Sequence, residues 1–127
     1  MITNETFEAI KTQLVQRLTL HLPKQLYYHG VHHTLDVLEQ AERIAIEEKI
    51  SDPKALLLVK LAALYHDTGF LDTYKGHEER SCEIMLHDLG GNSLTTGDLD
   101  RISGMIMATK IPQNPANLYR LELSALL

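Results

Sequence analysis

The chain has 127 residues, 44 % of them apolar and 23 % charged, with a net charge of −5. That size and balance suit one soluble globular domain with a single core, and the acidic charge without a basic block argues against nucleic acid as a partner. One cysteine, Cys82, excludes an internal disulfide and fits a reducing, cytoplasmic setting.

In chain order the punctuation is helical. Thr3 or Asn4 caps a first helix that runs to about His21, ahead of Pro23. A second begins near Tyr28-His29-Gly30 and ends about Lys49. Ser51-Asp52-Pro53 reads as an N-cap followed by proline in the first turn of a third helix, which runs to His66-Asp67, with Gly69 as its stop. Lys75-Gly76 precedes a fourth, from His77 to about Leu89. Thr96-Gly97-Asp98 opens a fifth, which ends before Pro112, and Pro115 opens a sixth that reaches Leu127. No alternating strand pattern, repeat or low-complexity tract interrupts this series. No apolar run approaches the roughly 20 residues needed to span a bilayer, and MITNETFEAIKTQL lacks the pattern of a signal peptide. The expected architecture is an all-α helical bundle of about six helices in one domain, residues 1–127.

The third helix is apolar nearly all round, with Lys60 as its polar break, so it belongs at the centre of the bundle. Its end therefore brings His66 and Asp67 to a place where both are costly to bury without a partner. On the second helix, at ~100° per residue, His33 falls at the edge of the apolar arc beside Val37 and Ile44, whereas His32 falls among Asp36, Glu39 and Arg43 and faces water. His33, His66 and Asp67 can thus share one cation. Two imidazoles and a carboxylate suit Mn, Fe, Co, Ni or Zn better than Ca²⁺. His87-Asp88 is a second such dipeptide, at the polar end of the fourth helix, and reads as a solvated terminus. Cys82 falls with Met85, Leu86 and Leu89 and reads as core.

With those residues in place, the chain resembles the HD superfamily of metal-dependent phosphohydrolases. YHGVHHTLDVLEQA is similar to the family's first-histidine helix and places a ligand at His33; LAALYHDTGF is similar to the signature His-Asp helix; GHEERSCEIM and MIMATKIPQNP resemble later segments of a bacterial branch of predicted hydrolases. The resemblance implies one divalent transition metal ion held by His33, His66 and Asp67. Asp67 would also orient or deprotonate the attacking water, and His77 and Lys110 would contact the substrate, a nucleotide or related small phosphate ester. Asp72 follows the His-Asp turn and is a further lining candidate. The family's late aspartate ligand has no counterpart after Asp100. That departure carries two expectations: a last helix cut short, whose apolar side favours a homodimer, and, as an alternative function, a regulatory domain that binds a ligand without turnover. An iron oxygenase is a third reading of two histidines and one carboxylate.

Overall fold

The computed structural model describes residues 2–22, 31–73, 75–91 and 94–108. They form five α-helices, α1 (Asn4–His21), α2 (His33–Glu47), α3 (Pro53–Tyr65), α4 (His77–Leu89) and α5 (Thr96–Ala108), with a short 3₁₀ turn, Thr68–Leu71, between α3 and α4. No strand occurs among the described residues, and none of their helices is long and apolar enough to cross a membrane. The expected start of the second helix at Tyr28, the sixth helix from Pro115 and Lys110 lie outside the described residues.

The caps follow the local chemistry. Thr3 Oγ1 accepts from Thr6 N–H at the start of α1, and Asp52 Oδ1 accepts from Lys54 N–H ahead of Pro53. At α5, Thr95 Oγ1 accepts from Asp98 N–H and Asp98 Oδ2 accepts from Thr95 N–H, both at 3.0 Å, a reciprocal capping pair. Lys54 Nζ lies 2.8 Å from the same carboxylate and ties the start of α3 to the start of α5. Asp98→Ala removes the cap and the tie together, and is expected to lower stability by about 1–2 kcal/mol in a urea titration.

α3 occupies the centre, as its composition requires. Leu58, Val59 and every residue from Leu61 to Tyr65 are buried. α2 packs along one side through Val37, Leu38, Ala41 and Ile44, and α4 and α5 cover others. Even Lys60 is absorbed, its ammonium 4.2 Å from the centre of the Phe7 ring. The buried line of α4 is Ser81, Ile84, Met85 and Leu89. Leu86 is 43 % exposed and Cys82 half-buried, so the inner face is rotated by about one residue from the apolar count. The reason is Ser81, a polar residue drawn inward by hydrogen bonds to the turn after α3.

Candidate metal centre

α3 ends at Tyr65, ahead of the expected end at His66-Asp67, and that small difference builds the site. His66 keeps helical angles, but Asp67 leaves them, with φ −114° and ψ 9°. Consecutive helical side chains would diverge by ~100°. Here the carboxylate turns back instead, and Asp67 Oδ2 lies 3.1 Å from His66 Nε2. His33, the first residue of α2, brings its Nε2 to 3.7 Å from the same oxygen. It follows a π-type turn at Val31 and His32, a wider winding than the helix that continues from it. The His33 and His66 rings meet edge to face, with centroids 5.4 Å apart.

The protonation state of His66 follows from its neighbours. Its Nδ1 is 2.7 Å from the Ala63 carbonyl oxygen, which can only accept, so Nδ1 carries the hydrogen. In the neutral ring Nε2 therefore presents a lone pair to the Asp67 carboxylate. Two acceptors 3.1 Å apart in a buried place need a positive charge between them, a proton or a metal ion. Burial pushes the His66 imidazole down, but the Asp67 charge and hydrogen bond raise it above its ordinary value. Burial likewise pushes Asp67 up, yet the His66 charge and the hydrogen bonds from His66 and His77 hold it well below the usual carboxylate range.

The donor set fits a transition-metal ion. Donors at about 2.1 Å from one ion stand roughly 3.0–3.5 Å from each other. The His33, His66 and Asp67 donor atoms lie within 4.8 Å of one another, and two of their separations are 3.1 and 3.7 Å. The His33 side chain is 43 % exposed, against 5 % for His66, so the centre is reached from the α2 side.

His77, at the start of α4, stands on the other edge of Asp67. Its Nε2 is 3.4 Å from Asp67 Oδ1 and 3.3 Å from Glu78 Oε2, while its ring stacks on Phe70 with centroids 3.9 Å apart. Glu78 and Glu79 also place negative charge in the first turn of that helix. Asp72 does not join the centre; it is exposed and pairs with Arg80. His32 is exposed, as its place on the helix predicts.

Gly69 has a role that the sequence reading assigned differently. Its φ is not positive, so it does not end α3 by adopting a left-handed backbone. It allows a close approach instead: a Cβ there would lie 2.7 Å from the His77 carbonyl carbon and 2.9 Å from its Cα. The second His-Asp pair divides. His87 is 90 % exposed, as expected of a solvated terminus. Asp88 is half-buried and engaged: its Oδ2 accepts from Tyr65 Oη at 2.9 Å and from Arg17 at 2.7 Å. Burial and the Asp88 charge push the Tyr65 phenol far above its ordinary value. This contact joins α1, α3 and α4 next to His66.

The HD domain family model matches residues 30–104, more than half of the chain and the span that holds His33, His66 and Asp67. The chain belongs to the HD domain family. Comparison with curated proteins gives no match, and neither does comparison with solved structures. HD domains are in general metal-dependent hydrolases that bind divalent ions, and the histidine from α2 and the His-Asp pair after α3 are a donor set able to hold one here.

Proposed function

We propose that this HD domain is a metal-dependent phosphohydrolase acting on a nucleotide or a related small phosphate ester. The observation that carries the reading is the fixed tautomer of His66: with Nδ1–H committed to Ala63, Nε2 and the Asp67 carboxylate face each other as two acceptors, with His33 Nε2 beside them. In this reading His33, His66 and Asp67 hold one Mn, Fe, Co, Ni or Zn ion. When bound, such an ion neutralises charge on a phosphoryl oxygen and lowers the pKa of water.

The remaining work falls to the chain. Asp67 Oδ1, on the side away from His33, accepts a hydrogen bond from the attacking water and orients it toward phosphorus. The water oxygen forms the new P–O bond and gives up a proton to solvent, while the P–O bond to the leaving group breaks and the leaving oxygen takes up a proton from solvent. His77, held flat against Phe70 at the edge of Asp67, is assigned the first phosphate contact. Lys110, outside the described residues, is assigned a second phosphate contact as a point charge.

The test is phosphate release from nucleoside mono-, di- and triphosphates and simple phosphate esters, with Mn²⁺, Co²⁺ or Ni²⁺ added. The expected result is turnover that a chelator abolishes and that His66→Ala lacks. No release above the His66→Ala control with every ion would contradict the proposal.

A further inference from the structure

Ser81 lies on the inner face of α4, one turn after His77, and is fully buried. Its single hydroxyl makes two hydrogen bonds to one turn of backbone. It accepts from Gly69 N–H at 2.8 Å and donates to the His66 carbonyl oxygen at 2.9 Å. Those two backbone groups bracket Asp67. A hydroxyl has one proton and two lone pairs, so both bonds form at once.

These bonds differ from ordinary local capping because they cross from another helix. Thr68 supplies the local kind, its Oγ1 donating to Tyr65 O three residues back. Ser81 instead fastens the turn to α4, the helix that also presents His77 to Asp67 Oδ1. The fastening is tight enough to leave no room for a side chain at position 69. It also sets the rotation of α4, which is why a serine lies on the inner line where an apolar count expects Cys82.

We infer that Ser81 is a positioning residue for the ion-binding pair: it pins the backbone on both sides of Asp67 and so sets the carboxylate against His66 Nε2 and His33 Nε2. The inference rests on the reading of those three residues as ion ligands. Ser81 itself touches no ligand atom. Outer contacts of this kind hold first ligands in direction, and their loss typically weakens metal binding while the fold persists.

The test is a Co²⁺ titration of the whole 127-residue chain, read by visible absorption, in the wild type, Ser81→Ala, Ser81→Cys and Ile44→Val. It is paired with hydrogen exchange of the Gly69 amide without metal. Ile44→Val is a core change three turns along α2 from His33. The wild type is expected to bind one Co²⁺. Ser81→Ala should bind about tenfold more weakly, with altered absorption bands and faster exchange at Gly69. Ser81→Cys, close in size but a weak donor, should fall between them, and Ile44→Val should bind like the wild type. Unchanged affinity and bands in Ser81→Ala would overturn the inference, as would an equal loss in Ile44→Val. If Ser81→Ala does not fold, Ser81→Cys decides by the same criterion. A wild-type chain that binds no Co²⁺ would overturn the ion-site reading, and this inference with it. That outcome is distinct, because Gly69 exchange reports the Ser81 contact without an ion.

Discussion

Asp67→Asn is expected to abolish stoichiometric ion binding and to lower metal-dependent phosphate release by about 10³-fold, or about 4 kcal/mol at 1.36 kcal/mol per decade. The change is nearly isosteric, so the turn should still form. What changes is charge and hydrogen-bond direction. Oδ2 now faces two imidazole nitrogens, at 3.1 Å and 3.7 Å. A neutral amide offers a weaker oxygen donor there, and in its flipped orientation its N–H group donates to His66 Nε2 and occupies that lone pair. Either orientation removes the net negative charge that balances a cation. Phosphate release at saturating Mn²⁺, with a Co²⁺ titration alongside, checks the result. Activity within tenfold of the wild type would show that Asp67 is not central.

Gly69→Ala carries the second large effect, and it acts on the fold first. The new Cβ meets backbone atoms of His77, not the movable end of a side chain. The 3₁₀ turn and α4 must separate, which strains both Ser81 bonds and moves His77 off Asp67. Overpacking of this kind costs about 3 kcal/mol, which corresponds to a melting temperature lower by about 10 °C for a chain of this size. Ion binding should weaken along with stability, since the displaced turn carries Asp67. Calorimetry of the wild type and Gly69→Ala measures the shift. A melting temperature within 2–3 °C, taken as roughly the effect of 1 kcal/mol, would mean that the close approach does not exist in solution.

The helices were largely legible because their signals are local. Thr3, the Asp52-Pro53 pair and Gly76 act on the residues beside them, and the apolar composition of α3 dictates a central position whatever surrounds it. The grouping of His33 with His66 and Asp67 was legible as well, since His33 lies at a defined place on a periodic helix and His66-Asp67 follows a buried one. Other features arise only when separate segments meet. Nothing near Gly69 in the sequence announces the backbone of His77, and nothing near Asp88 announces Tyr65 and Arg17. Asp72 is close to the motif in sequence but is turned outward by the 3₁₀ segment and held by Arg80. The signal available for Ser81 was its place one turn after His77, on a line shared with Met85, where an apolar residue would be expected. The convergence of His66 and Asp67 also escaped a purely helical reading, which makes them diverge, because helical backbone angles stop after His66.

The central claim is that one ion is held jointly by α2 and by the turn after α3. X-ray absorption of the chain loaded with Co²⁺ or Zn²⁺, compared with His33→Ala, tests it most directly. The account predicts one ion per chain with two imidazole ligands and carboxylate oxygen in the wild type, and one imidazole fewer in His33→Ala. An ion bound identically in both, or no bound ion in the wild type, would contradict it.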